Sequence, residues 1–315
     1  MPDAPLFRQP LDLDWLARET AATRIDYCEV VSGGKSVFVH ARDARVRDKL
    51  HKVNSITKSV LSLTIGIALE RGDFPALATP IGDFFPEART GDKANVAIEH
   101  LLTMTPGWDW PEMGDWGGLP SPMIDSPDWV RYVLSRPMKY KPGSRMFYDS
   151  GSSHLLSAIL QKTSGVSTSA YAGEHLFAPL GIDKYRWPAD AHGIDIGGFG
   201  LELRAPDLTK LARLMLAQGR VDDRQIVPAA WIEAGTLAYR HTYDHIGSYG
   251  YHWWVMAEND RPISPAIYFA MGYGGQYVFV APELELAVVF ASTLYKHTFH
   301  PYRLFKRLLR LDSPE

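Results

Sequence analysis

The chain has 315 residues and a formal net charge of -3. That is long enough for a large core and for two domains, and the charge gives no reason to expect nucleic acid or an anionic membrane as partner. Hydrophobic residues make up 46% and charged residues 22%, the balance of a soluble globular protein, and the single cysteine, Cys28, excludes an internal disulfide and a cysteine-based zinc site.

In chain order, the opening MPDAPLFRQPLDLDW has no basic region followed by an apolar one. No secretory signal is expected there, and the protein is expected to be cytoplasmic. Residues 11–24 read as a helix. Tyr27–Val31 and Ser36–His40 read as strands joined by Ser32-Gly33-Gly34-Lys35, a hairpin signal. GGKS is not a phosphate loop, because Glu29 stands where the first glycine is needed. Cys28, inside the first strand, is expected to be a buried, inert thiol. Within His51–Gly72, Ser55-Ile56-Thr57-Lys58 opens a helix whose apolar run, from Val60 to its end at Gly72, is too short and too interrupted by Ser62 and Thr64 to span a bilayer.

From Phe74 to about Gly200 strand signals become rare. Ile98–Met104 is a short amphipathic helix, followed by Trp108–Pro127, a loop without periodicity, rich in Trp, Pro and Gly. Loops of that length are usually functional or disordered, and three tryptophans argue against disorder. Helices are predicted over Ser126–Leu134 and Ser153–Thr163, then over Pro206–Ala217 and Pro228–Gly235. The tail reads as strands at Tyr249–Met256, Ile267–Met271, Gln276–Ala281 and Leu286–Ser292, closed by a helix-like His300–Leu311. Strands at both ends around a helical middle predict an α+β fold: an antiparallel sheet domain from 1–73 and 205–315, with a helical domain from 74–204 inserted and the active site between them.

Three stretches carry chemistry. Ser55-Ile56-Thr57-Lys58 puts a hydroxyl and an amine on one helix face a turn apart. A serine hydroxyl needs an adjacent base, and a desolvated lysine can be one. The helix N-terminus brings backbone N–H groups to the same place. Tyr148-Asp149-Ser150 follows a Pro-Gly turn, where Tyr148 can share a proton with Ser55 and Lys58, or simply pack on the next helix behind an Asp149 or Ser150 cap. Met271-Gly272-Tyr273-Gly274-Gly275-Gln276 is a glycine-rich strand end that lets a second backbone approach, or a plain tight hairpin. His241 and His245 are four apart, but no H-E-x-x-H occurs and a zinc site is not expected. No G-x-S-x-G is present, which disfavours an α/β-hydrolase elbow.

Taken in order, S-x-x-K near residue 55, Y-x-[NS] after a PG turn and a glycine-rich strand near the C-terminus resemble the serine β-lactamase and penicillin-binding-protein superfamily. The likeness is greatest to class C β-lactamase-like esterases and 6-aminohexanoate-dimer hydrolase-like enzymes. HLLTMTPGWDW, KPGSRMFYDSGSSHLLSAIL, the Gly-Gly followed by PDLTKLARLM and GYGGQYVFVAPELELAVVFAS support it, and they are spread over residues 48–295. The resemblance implies a β-lactamase-like fold with Ser55 as acylated nucleophile and Lys58 and Tyr148 as the proton-transfer set. It also implies an oxyanion hole of the Ser55 and Gly275 N–H groups, worth roughly 3–4 kcal/mol per donor. Ser150 takes the position of the family's Asn. Gly272, Tyr273 and Gly274 stand where relatives carry K-T-G, so a lactam-carboxylate lysine is missing and efficient β-lactam hydrolysis is not expected. Gln276, Trp108, Trp110 and Trp116, like Tyr273, are candidate pocket residues. The expectation is therefore a serine hydrolase of small esters or linear amides that needs no metal or organic cofactor. The rival readings are a D-amino-acid peptidase or weak β-lactamase on the same fold, and a catalytically silent ligand-binding protein.

Overall fold

The computed structural model describes residues 10–115, 117–243, 246–258 and 261–311. Trp116 and His245, and the side chain of His241, lie outside the described residues.

The apolar runs at the two ends of the chain pair with each other in one antiparallel sheet. Its strands are β1 (Ile25–Ser32), β2 (Lys35–Ala41), β3 (Arg240–Tyr243), β4 (Gly247–Tyr249), β5 (Trp254–Val255), β6 (Tyr268–Gly272), β7 (Gln276–Ala281) and β8 (Leu286–Ser292). They lie in the order β2-β1-β8-β7-β6-β5-β4-β3. Cys28 faces Phe290 and Val30 faces Val288, so an early strand is locked beside the last one. Every residue of β7 and β8 is buried, which means that both sheet faces are covered.

Five helices cover the sheet and carry the site: α1 (Leu13–Ala22), α2 (Ile56–Arg71), α3 (Ser150–Ser164), α4 (Ala205–Leu216) and α5 (His300–Leu308). Val288 and Phe290 point into a core with Trp15 and Leu16 of α1 and Phe305 of α5. The alternate residues Ala287, Val289 and Ala291 point into the opposite core with Val60 and Leu61 of α2 and Leu208 and Leu211 of α4. α2 is buried on all sides from Ile56 to Ala68, the pattern of a helix inside a protein rather than on its surface. It packs on β6, on α3 and on the Ala229–Gly235 helix. Among the described residues, no helix is long and apolar enough to cross a membrane.

Three predicted elements differ from those observed. The run Tyr249–Met256 is two strands, because Gly250–Trp253 leaves the sheet between β4 and β5. A Cβ on Gly250 would lie 2.2 Å from the Gly235 carbonyl oxygen, so only glycine permits that approach. His252 adopts φ 61° there and donates its N–H to the Leu102 carbonyl at 3.2 Å. α3 starts at Ser150, three residues earlier than the apolar pattern suggests, because the Asp149 carboxylate caps it through the Ser152 N–H at 3.0 Å. The helix after the tryptophan-rich loop starts only at Trp129, where Asp128 caps it.

Candidate active site

The N-terminal ends of α2 and α3 meet, and the meeting point brings Ser55, Lys58, Tyr148 and Ser150 together. Ser55 is the boundary residue of α2, and Lys58 stands one turn along it, 1% exposed. Its Nζ lies 3.3 Å from Ser55 Oγ, 3.0 Å from Ser150 Oγ and 2.7 Å from the Gly198 carbonyl oxygen. That carbonyl reaches the amine because Gly197 and Gly198 lie directly on α3. A Cβ on Gly197 would be 2.0 Å from the Ser153 carbonyl oxygen. Burial pulls the Lys58 amine from 10.5 down to about 8, against the opposing pull of the Glu112 and Asp149 carboxylates.

Tyr148 is buried, stacked on Trp254 at 5.7 Å and edge-on to Tyr249 at 6.3 Å. Its ring covers Lys58 Nζ at 4.6 Å from the centroid, and the phenol lies beside Ser55. Burial, with Glu112 adding to it, drives the phenol pKa far upward, more than the Ser55 hydroxyl lowers it. Tyr148 is therefore a neutral phenol at physiological pH, available as a proton donor. Asp149, pushed up to about 6 mainly by burial, serves the local structure by capping α3. Behind Lys58, His252 is brought down to about 3 by burial first and by Lys58 second, and so stays neutral. Its Nε2 lies 3.0 Å from Ser153 Oγ and its carbonyl accepts from Ser59 Oγ at 2.7 Å.

The tryptophan-rich loop holds this centre from behind. Trp108 donates its Nε1–H to Asp149 Oδ2 at 2.7 Å, and Trp110 donates to Glu112 Oε2 at 2.8 Å. Both indoles are 2% exposed. They are thus buried props of the Tyr148–Ser150 segment rather than walls of an open cleft, because each has its polar edge tied to an internal carboxylate.

The glycine-rich turn between β6 and β7 also corrects an expectation. Gly272 lies against the chain leading into α2, where a Cβ would be 2.2 Å from the Val53 carbonyl oxygen. Asn54 Nδ2 donates to the Tyr273 carbonyl. Gly275, by contrast, packs on Ser292 and Pro301 and accepts from Ser292 Oγ at 2.9 Å. Gln276 is buried and bonded to the Ser292 backbone through both ends of its amide, so it fixes the turn instead of facing a substrate. Gly274 donates its N–H to Thr298 Oγ1 at 3.1 Å. Among the described residues no acceptor takes the N–H of Ser55, of Tyr273 or of Gly275. Tyr273 is half exposed, with Tyr295 5.3 Å away.

The sequence profile of the Beta-lactamase family matches residues 27–311. The chain belongs to the Beta-lactamase family. Among curated relatives, esterase EstB of Burkholderia gladioli is 28% identical over 149 residues, 43% of this chain and 38% of that protein. A beta-lactamase of Escherichia coli (strain K12) is 26% identical over 42% of this chain and 34% of its own length. The aligned stretch therefore spans little more than a third of either relative. The fold is shared more widely. A protein from Bacillus anthracis described as a candidate 6-aminohexanoate-dimer hydrolase superposes with a TM-score of 0.74 at 18% identity, over 99% of this chain and 87% of that one. An octameric penicillin-binding protein homologue from Pyrococcus abyssi does so with 0.72 at 22% identity, over 94% and 76%.

For this Beta-lactamase family member, sequence reasoning missed Glu112, the Gly198 carbonyl and His252. Glu112 is 2% exposed and takes three hydrogen bonds, from Trp110 Nε1, the Ser150 N–H and Ser150 Oγ. A carboxylate in a Trp-Pro run was a signal, but Asp109 and Asp115 stand in the same run, and Asp109 is instead bonded to Lys139 at 3.0 Å.

Proposed function

We propose that the protein is a serine hydrolase that forms an acyl-enzyme at Ser55 and acts on small carboxylic esters or linear amides. One observation carries this reading: a buried amine, Lys58, lies 3.3 Å from the Ser55 hydroxyl with its pKa lowered to about 8. Near that pH an appreciable fraction of the amine is neutral and able to accept a proton.

In the acylation step Lys58 takes the Ser55 proton as Oγ bonds to the substrate carbonyl carbon. The negative charge that develops on the carbonyl oxygen is met by the N–H of Ser55 and by a free N–H of the glycine-rich turn, that of Gly275, as the family likeness implies, or that of Tyr273, whose carbonyl is held by Asn54. Collapse of the tetrahedral species breaks the bond to the leaving alcohol or amine. The leaving group takes a proton from Tyr148, which is resupplied from Lys58. Water then attacks the acyl-enzyme, with the same groups returning the proton to Ser55. The neutral, high-pKa phenol of Tyr148 suits donation and makes Lys58 the base.

Support for the substrate class comes from Gly272-Tyr273-Gly274, which offers no cation for a lactam carboxylate, and from the exposed Tyr273–Tyr295 pair, an apolar edge next to Asn54. The activity reported in the name of the Burkholderia relative, an esterase, points the same way.

The test is the initial rate on p-nitrophenyl acetate and butyrate, wild type against Ser55→Ala, with a chromogenic cephalosporin alongside. Ester turnover that drops at least about 10⁴-fold in the variant, with little cephalosporin turnover, is the expected result. Turnover that survives Ser55→Ala would remove Ser55 from the reaction.

A further inference from the structure

A base is useful only if its lone pair faces the proton to be removed. Neutral Lys58 carries two N–H bonds and one lone pair on Nζ, and three groups lie within hydrogen-bond reach of it: Gly198 O, Ser150 Oγ and Ser55 Oγ. The carbonyl can only accept, so it fixes one N–H. The two hydroxyls are ambiguous, since either can donate to the lone pair or accept from the second N–H. Without a further constraint the amine can turn its lone pair to Ser150 and give Ser55 a hydrogen, an arrangement that cannot start the reaction.

Glu112 removes the ambiguity. Its Oε1 accepts from Ser150 Oγ at 2.6 Å, while Oε2 is held by the Ser150 N–H at 2.8 Å and by Trp110 Nε1 at 2.8 Å. A carboxylate cannot donate, so the single proton of Ser150 is committed to Glu112 and only its lone pairs are left for Lys58. We infer that Glu112 is a positioning residue that, through Ser150, sets the direction of the Lys58 lone pair toward Ser55. The inference rests on the acyl-enzyme reading and adds to it a residue that touches neither substrate nor nucleophile.

Glu112→Gln tests it with little change of shape. The amide oxygen can keep the bonds from Trp110 and the Ser150 N–H, which places the NH₂ where Oε1 was, facing Ser150 Oγ. Ser150 then turns its proton away, and the Lys58 lone pair is the acceptor at hand. The charged and titratable groups around Lys58 are Glu112, Asp149, Tyr148 and His252, of which the two carboxylates favour the ammonium. Losing one of them lowers the Lys58 pKa.

The experiment is the pH dependence, from 6 to 10, of Ser55 modification by a fluorophosphonate, followed by mass spectrometry and scaled to the folded fraction from a thermal melt. In that step the Ser55 Oγ–P bond forms, the P–F bond breaks, fluoride leaves and the Ser55 proton goes to Lys58. For Glu112→Gln the high-pH plateau should fall roughly 10-fold or more, within the range of a lost acid–base contribution. The acid limb should move to lower pH at the same time. A plateau that holds its wild-type height, or a limb that stays in place, overturns the inference. Ser150→Ala supplies a second arm that does not depend on the folding of Glu112→Gln alone. If Glu112 acts through Ser150, Ser150→Ala lowers the plateau by itself, and adding Glu112→Gln to it lowers the plateau no further. Additive losses overturn the inference. A wild-type protein not modified at Ser55 overturns the acyl-enzyme reading along with it, an outcome distinct from modified wild type with an unaffected Glu112→Gln.

Discussion

Glu29 and Glu112 are both buried glutamates that each accept three hydrogen bonds, yet they sit in regions with different work. Glu29, on β1, is bonded by the Tyr27 phenol, Ser36 Oγ and, at 2.8 Å, Thr209 Oγ1 of α4, with Arg213 Nη2 at 4.0 Å. It ties β1, β2 and α4 together, and its chain of donors ends in hydroxyls and a guanidinium that stays charged at any working pH. Glu112 is bonded as fully, but its chain continues through Ser150 to an amine titrating near 8 and from there to Ser55. A buried carboxylate is thus no mark of a site. A connected path from it to a titratable base beside a nucleophile with a free backbone N–H is one.

Four substitutions sharpen that contrast, beginning with the largest expected effect. Lys58→Met should reduce ester turnover about 10³-fold, within the range for removal of a general base. Stability should change in the other direction. The depression from 10.5 to about 8 means that the folded protein binds the Lys58 proton less tightly than the unfolded chain does. This costs the fold roughly 3 kcal/mol below pH 8, a cost relieved as pH rises from 8 to 10.5. Wild-type stability should therefore gain a rising contribution across that window, absent in Lys58→Met. A denaturant series at pH 7 and pH 10 measures it, and equal slopes for the two proteins would break the assignment of Lys58 as a desolvated amine.

Tyr148→Phe comes next. The ring keeps its stack on Trp254, so the melting temperature should hold, while turnover falls roughly 10²-fold. The loss should be larger for an ethyl ester or an anilide than for a p-nitrophenyl ester, because only the poor leaving groups need the proton. Equal losses across leaving groups would take Tyr148 out of the leaving-group step. Tyr27, the matching phenol of the Glu29 region, should show no leaving-group dependence at all when changed to Phe.

Most of the frame was legible in the chain itself. β7 and β8 coincide with their apolar runs because both sheet faces are covered and nothing polar interrupts them. Ser55 and Lys58 share a helix face because the i, i+3 spacing requires it. What stayed hidden depends on contacts across the fold. The break at Gly250–Trp253 is imposed by Gly235, fifteen residues away, and no local pattern marks it. Trp108 and Trp110 read as pocket aromatics, but their indole N–H groups found buried carboxylates that only the tertiary structure places there. Glycine content says where backbone can approach and not which N–H meets an oxyanion, and in the turn the N–H groups of both Tyr273 and Gly275 are left without an acceptor among the described residues.

Glu29→Gln makes the same chemical change as Glu112→Gln in the region without a base. If the amide oxygen keeps Tyr27 and Thr209, the NH₂ must face Ser36 Oγ, which already accepts from Arg213 Nη2 at 2.9 Å. The Ser36 proton is then left without its carboxylate but, on an exposed residue, can turn to water, so the variant should lose about 1 kcal/mol, the scale of one hydrogen bond. For a chain of this length that is a drop of about 1–2 °C in Tm. Turnover per folded molecule should stay within about twofold of wild type, with the acid limb of the pH profile unmoved, since no hydrogen-bond path leads from Glu29 to Lys58 among the described residues. A shifted limb in Glu29→Gln would mean that the Lys58 proton responds to buried charge anywhere beneath the sheet. The path through Ser150 would then lose its special place, and the contrast between the two glutamates would be one of distance alone.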